Sequence, residues 1–560
     1  MNNTSIVIEQ LSWERVQFFV EGRIENGKFN HPKFVLRNLT ETKVLEANEV
    51  TLHGNQFKCR FNIAILDDGN YLPEDQYLLV MYQEHEVVAK ISPKYLEINN
   101  YQLSKEEWKE YEALSTKNDK YNYMLSFYKK IFHKGGSSNN IYYEIKPAIS
   151  REVNEFVFNV EFKHSNTKLT GIKKLVNNIR LAYRKISFNV RNTSFKAIFK
   201  LGKCLHIRKG NQVLFTSDSR SNMSGNFKFI YDEMLRQNLD KKYKIHQIFK
   251  RHITDRRNII DKFKFPFLLG KADYILIDDY HPLIYTVDFK KTQELIQVWH
   301  AVGAFKTVGF SRTGKQGGPF FDSVAHRNYT KAIVSSDHDI PFYGEAFGIK
   351  EEYILPTGIP RTDIFFDDDY KNKVINKMQN ELPIKNKTVI LFAPTFRGNG
   401  HHTAHYPFFK IDFERLANYC EENNSVVLFK MHPFVKNKLN IPKAYQKYLI
   451  DISYIREVND VLFITDILIS DYSSLIYEYA TFKKPMLFYA FDLEDYIATR
   501  DFYEPYESFV PGKIVKTFDD LLSALENNDF EQEKVEPFLN KHFKYTDGQS
   551  SKRVVERIFK

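Results

Sequence analysis

The sequence predicts a mixed α/β protein in which a pair of doubly wound, Rossmann-type domains follows a small all-β sandwich. Three observations carry this. After Gly210, short apolar runs alternate with helical stretches, the pattern of parallel sheets covered by helices. Residues 1 to about 100 instead alternate apolar and polar positions with period two. Finally, four of the later apolar runs end directly in loops rich in His, Arg, Thr or Ser, and in open α/β sheets ligands gather at those carboxyl ends.

The chain of 560 residues is too long for one core, and 43% hydrophobic with 27% charged residues describes a globular protein. With 23 Gly and 19 Pro there is no room for a long flexible linker or a low-complexity array. Cys59, Cys204 and Cys420 stand far apart, which excludes a disulfide framework and a cysteine zinc site and fits a reducing compartment. No signal peptide opens the sequence, and no run of about 18 apolar residues offers a spanning helix.

Taken in order, residues 1–103 read as an immunoglobulin-like β-sandwich. Val16–Val20, Lys33–Leu36 and Tyr77–Met81 are strands, and Asp67-Asp68-Gly69-Asn70 is a turn. Residues 104–210 read as a helical and basic connecting region, helical from Ser104 to about Lys134 and closing at Gly135-Gly136-Ser137-Ser138. The net charge of +10 is concentrated here: Lys163 to Gly210 carries 13 lysines and arginines and no acidic residue, whereas the remainder has 67 basic and 70 acidic residues. Between Ile172 and Ile186 the apolar residues share one helical face, with Lys173, Lys174, Arg180, Arg184 and Lys185 on the others. This basic amphipathic helix is expected to contact an anionic membrane surface; packing against the protein itself is the alternative. No zinc finger, RNP-type motif or basic region with heptads accompanies it, so nucleic acid is not expected as a partner.

Residues 211–348 form the first Rossmann-like unit, with strands at Val213–Thr216, Tyr274–Ile277 and Leu295–Trp299. Residues 349–560 form the second, with strands at Val389–Phe392, Val426–Phe429, Ile467–Ile469 and Met486–Tyr489. The strand ends supply the candidate chemistry. His300 follows the third strand of the first unit, and a cleft histidine is suited to accept a proton at neutral pH. In the second unit, Thr395 and Arg397 offer a hydroxyl and a guanidinium for phosphate oxygens, and His432 follows directly on another strand. Ser470, Asp471, Ser473 and Ser474 precede a helix whose free amides suit a diphosphate, and Glu478 lies one turn further on, in position to reach a ribose. The acidic runs Asp278-Asp279 and Asp367-Asp368-Asp369 read as loop or cap residues rather than a metal cage.

Trp299-His300, Pro394-Thr395-Phe396-Arg397, Lys430-Met431-His432-Pro433 and Ser470-Asp471-Tyr472-Ser473-Ser474, in this order, resemble the CDP-glycerol glycerophosphotransferase family that builds teichoic acids in Gram-positive bacteria. Ser217 to Asn226 is similar to that family's N-terminal signature, and the resemblance covers about residues 210 to 555. It implies a GT-B-like catalytic pair, peripheral attachment to the cytoplasmic face of the cell membrane, and transfer of a polyol phosphate from a CDP-activated donor with release of CMP. One loop departs from the family pattern Trp-His-Gly-Thr-Pro-Leu-Lys: here Trp299-His300 continues as Ala301-Val302-Gly303-Ala304-Phe305-Lys306. Together with the β-sandwich, this form looks most like the ribitol-phosphate polymerases of wall teichoic acid, with CDP-ribitol as donor and a lipid-linked polyol-phosphate chain as acceptor.

On this reading His300 is the base, His432, Arg397 and Thr395 stabilise charge on the diphosphate, and Ser473 and Ser474 hold it. No cofactor is required, although a divalent cation on the donor diphosphate stays open, as does a homo-oligomer. The rival readings are a CDP-glycerol-dependent glycerophosphotransferase, a sugar-nucleotide glycosyltransferase, and a non-catalytic membrane-bound scaffold.

Overall fold

The computed structural model describes residues 4–26, 32–82, 85–98, 101, 103–135, 141–163, 191–206, 210–398 and 403–559. Among these, one hydrogen-bonded set of 11 strands runs from Ser5 to Lys163. The expected strands form as Gln17–Glu25, Lys33–Asn38 and Asp75–Tyr82. The boundary at 103 does not hold, because Lys130–His133, Tyr142–Ile149 and Phe156–Lys163 are also strands of this set. Phe158 pairs with Tyr77 and adds its edge to the older strands, and Phe132, Tyr143, Ile145 and Phe158 join the same apolar core. Helical expectation is met for Lys105–Glu112 and Lys117–Leu125. Ser104 and Glu107 close a capping box at the first, and Thr116 caps the second. The basic segment with Lys173, Lys174, Arg180, Arg184 and Lys185 lies outside the described residues.

The two remaining sheets have six strands each, all parallel. The first runs in the order Lys244–Phe249, Gln212–Ser217, Tyr274–Ile277, Glu294–Gln297, Lys331–Ile333, Ile354–Leu355. The second runs Leu449–Asp451, Ser425–Phe429, Thr388–Phe392, Ile467–Ser470, Met486–Tyr489, Lys513–Val515, the doubly wound order whose direction reverses between its third and fourth members. Both are read in the sequence as near-continuous apolar runs because helices cover both faces. The shorter strands, Lys331–Ile333 and Lys513–Val515, escape such a reading because three residues carry no period.

The last helix of the chain returns to the first unit. Helix Ser550–Ile558 packs back on helix Asn226–Arg236 of the first unit, and the Tyr243 hydroxyl donates to the Phe559 carbonyl at 2.7 Å. Asp363, in the 3-10 run Pro360–Phe366 that joins the two units, accepts from the Ser550 and Ser551 amides at 2.8 and 2.7 Å and so holds the start of that helix. The N-terminal strands dock through polar anchors: Arg15 Nε donates to Glu345 at 2.6 Å, and Arg327 Nη1 donates to the Ala64 and Gly69 carbonyls at 2.7 and 2.8 Å. Phe310, Phe320 and Phe321 extend the N-terminal core into the first parallel unit.

Candidate functional site

The loops that follow the strand ends of the two parallel sheets meet between them. Backbone pairing fixes the approach: Tyr503 N donates to the Phe305 carbonyl at 3.1 Å and Thr307 N to the Asp501 carbonyl at 3.0 Å. Phe305 stacks on Phe502 and Phe509 at 4.9 and 5.0 Å between centroids, pairs contributing about 0.5–1.5 kcal/mol each beyond their area.

His300 enters the cleft from a strained turn. Trp299 has φ of 45°, a left-handed conformation that costs a bulky residue about 1–3 kcal/mol and persists only where neighbours over-determine it. Here they do: Asn226 Nδ2 donates to the Val298 and Trp299 carbonyls at 2.9 and 2.8 Å, and Trp299 N donates to Gln297 Oε1 at 2.9 Å. This gives the Ser217–Asn226 stretch a task, because its last residue clamps the turn that presents His300. The half-exposed His300 ring has Nδ1 3.3 Å from the Asp278 carbonyl. A carbonyl can only accept, so Nδ1 carries the proton and Nε2 keeps its lone pair. The Asp279 carboxylate lies 4.0 Å from the same Nδ1.

His432 has the opposite tautomer. Phe434 N donates to its Nδ1 at 3.1 Å, which leaves the proton on Nε2 as a donor. Burial, with Lys306 and Lys430 adding repulsion, pushes this ring down to about 4. It is therefore a neutral hydrogen-bond donor at pH 7, and any stabilisation of phosphate charge comes through that N–H.

Arg397 does something other than expected. Its Nε and Nη2 donate to the two oxygens of Asp492 at 2.6 and 2.9 Å, and its Nη1 donates to Asp471 Oδ2 and the Thr395 carbonyl at 2.8 and 2.7 Å. Burial works against the charge, but the two carboxylates outweigh it and hold the guanidinium above its ordinary value. With its fork committed and its plane among Tyr472, Phe491 and Tyr496, Arg397 is a keystone of the loops rather than a phosphate ligand. Thr395 and Asp471 belong to the same frame: the Thr395 amide donates to Asp471 Oδ1 at 2.7 Å. Ser470 is buried, its hydroxyl on the Ala393 carbonyl at 2.9 Å.

Glu478 is turned to the interior, where its carboxylate pairs with Arg361 and burial raises its pKa. Every residue of helix Leu475–Ala480 is buried, so the carboxylate cannot serve an exposed ribose. Ser473 Oγ accepts from Leu475 N at 3.3 Å, and the Ser474 hydroxyl at the helix start is exposed without a capping bond. These two remain at the surface of the cleft. Asp367 caps helix Asp368–Glu381 through the Tyr370 amide, as its reading as a cap required.

Lys306 is the residue that pattern alone did not single out. Its side chain lies over the Tyr496 ring at 5.2 Å. Burial pushes its ammonium down to about 8, with Asp471 opposing and Arg500 and Arg397 reinforcing the shift. The same ammonium acts on His432, so Lys306 of the first unit and His432, Arg397 and Asp471 of the second share one electrostatic site. Its signal was the lysine that ends the departing loop. A second group missed in the sequence sits at the switch of the first sheet, where buried Asp218 binds Arg257 at 2.5 Å and Lys250 at 3.1 Å.

The family model described as CDP-Glycerol:Poly(glycerophosphate) glycerophosphotransferase matches residues 198–560. The teichoic acid ribitol-phosphate polymerase TarL of Staphylococcus aureus (strain NCTC 8325 / PS 47) is 63% identical over 560 residues, covering the whole of both chains. A teichoic acid poly(ribitol-phosphate) polymerase of Bacillus spizizenii (strain ATCC 23059 / NRRL B-14472 / W23) is 45% identical over 353 residues, 62% of this chain and 56% of that one. Among solved structures, the wall teichoic acid polymerase TagF is similar in fold, with a TM-score of 0.53 at 21% identity over 70% of this chain and 98% of that one. The family model matches well over half of the chain, and the chain belongs to the CDP-Glycerol:Poly(glycerophosphate) glycerophosphotransferase family.

Proposed function

We propose that the chain is a polymerase that transfers ribitol phosphate from CDP-ribitol to a lipid-linked teichoic acid chain, releasing CMP. The observation that carries the choice of polyol is the full-length likeness to a ribitol-phosphate polymerase. In this reading the terminal hydroxyl of the acceptor attacks the β-phosphorus of the donor. A new phosphorus–oxygen bond forms, the bond to CMP breaks, and the hydroxyl proton passes to His300 Nε2. His432 donates its Nε2 proton as a hydrogen bond to the diphosphate, Lys306 offsets its charge, and Ser473 and Ser474 bind its oxygens, since phosphoryl transfer rests on positioning and electrostatics. Arg397, Asp471, Thr395 and Ser470 keep the loops in register behind them.

We place the enzyme as a peripheral protein on the cytoplasmic face of the membrane, where its lipid-linked acceptor resides. Among the described residues no helix is long and apolar enough to cross a membrane. The test is incubation with a lipid-linked acceptor and either CDP-ribitol or CDP-glycerol, with the product identified by mass. Ribitol phosphate units and stoichiometric CMP are expected. Preferential incorporation of glycerol phosphate would overturn the polyol, and release of a nucleoside diphosphate would replace phosphoryl transfer by sugar transfer.

A further inference from the structure

Behind the loop that carries His300 and Lys306, three segments distant in sequence bring His338, Glu504 and His542 together, with one ligand atom of each lying within 4.8 Å of the others. His338 belongs to the 3-10 turn Asp337–Asp339 of the first parallel unit, Glu504 follows Tyr503 in the second, and His542 ends helix Val535–His542. Neither acidic run that the sequence drew attention to takes part.

The decisive feature is His542. It is 1% exposed, packed among Tyr477, Phe509 and Phe538, and neither ring nitrogen has a hydrogen-bond partner among the described residues. Burying a polar group unsatisfied costs about 1–3 kcal/mol, so a ring with both nitrogens bare calls for a ligand. Across from it, His338 Nε2 and Glu504 Oε1 are 3.0 Å apart. Two ligands on one zinc ion, at ~2.0–2.2 Å each, stand about 3.3 Å apart in tetrahedral geometry, so the pair needs to open by only a few tenths of an ångström.

We propose that His338, Glu504 and His542 bind a first-row divalent cation of the zinc type, which ties the two parallel-sheet units together. Two imidazoles and one carboxylate are a zinc donor set that leaves a fourth position to water, and the nitrogen content disfavours magnesium and calcium. Glu504 binds through Oε1 and keeps Oε2 on Lys541; Lys544, the next cation along, is already paired with Asp337 at 2.9 Å. The position gives the ion a structural consequence. Asp339, beside His338, accepts the Ala304 amide at 3.3 Å, and Tyr503, beside Glu504, donates its amide to the Phe305 carbonyl. The cation would thus fasten both supports of the Lys306 loop.

The full chain, stripped with a chelator, is titrated with Co2+ alone and followed by visible absorption and thermal melting. Uptake of about one ion per chain with the spectrum of a nitrogen-and-oxygen-ligated Co2+ centre, and a rise in Tm, is expected. His338→Ala and Glu504→Gln, both at partly exposed positions, are expected to fold with unchanged circular dichroism, to weaken Co2+ binding at least ~10-fold and to lose the Tm rise. Absence of Co2+ uptake by the wild-type chain, or uptake and Tm rise unchanged in both variants, would overturn the site.

Discussion

At His300 and His432 the proposed roles turn on which nitrogen holds the proton, and neighbouring backbone atoms decide it. The Asp278 carbonyl leaves His300 Nε2 as an acceptor, and the Phe434 amide leaves His432 Nε2 as a donor. His300→Ala and His432→Ala should each lower turnover at least ~100-fold in a folded protein, the scale of losing a general base or an oxyanion donor; steady-state rates near wild type in either variant would remove it from the mechanism. Lys306 adds a pH signature. Its ammonium is pushed down to about 8, so the charged form is present below that value and lost as pH rises through it. Donor kcat/KM should fall on the alkaline side near pH 8, and Lys306→Arg should move that limb upward. A limb that stays in place would assign it to another group.

Among the elements, the loops after Thr388–Phe392 and Ile467–Ser470 depend on each other through Arg397. These strands are neighbours at the reversal of the second sheet, where two loops diverge and need a bridge. Arg397 supplies it, with carboxylates on both sides. Arg397→Met should cost about 3 kcal/mol or more, because it leaves Asp471 and Asp492 charged, largely buried and unpaired. Urea unfolding measures this, and a variant as stable as wild type with only donor affinity reduced would return Arg397 to the role of phosphate ligand.

For the molecule as a whole, buried histidines couple stability to acid. His281, facing Asp218, Arg257 and Lys250, and His326, facing Asp279, are pushed down to about 4, mainly by burial. Between about pH 6.5 and 4 the unfolded chain binds protons that the folded chain refuses, so their contribution is complete above that window and lost as pH falls through it. His326→Gln should flatten the dependence of unfolding free energy on pH in this window by up to about 1.4 kcal/mol per unit; parallel wild-type and variant curves would contradict the assignment. The proposed membrane contact is tested at the basic segment. Changing Lys173, Lys174, Arg180, Arg184 and Lys185 to Gln should release the enzyme from anionic vesicles in a flotation assay, as added salt should, at ~1 kcal/mol per basic contact. Binding indifferent to both would place the contact elsewhere.

Strands buried on both faces announce themselves: Tyr274–Ile277 and Met486–Tyr489 stand in the structure with the bounds their apolar runs suggest, and the four strand-end motifs lie where parallel sheets put their ligands. Local sequence was sufficient for these because hydrophobic period and strand-end chemistry are local properties. It could not say that Phe156–Lys163 pairs with a strand some eighty residues earlier, that Asp492 would occupy Arg397, or that Glu478 would turn inward to Arg361. Nor could it bring His338 to Glu504 and His542. Those outcomes depend on which long-range partner reaches a charged group first, and a buried charge must find its partner wherever the packed chain places one.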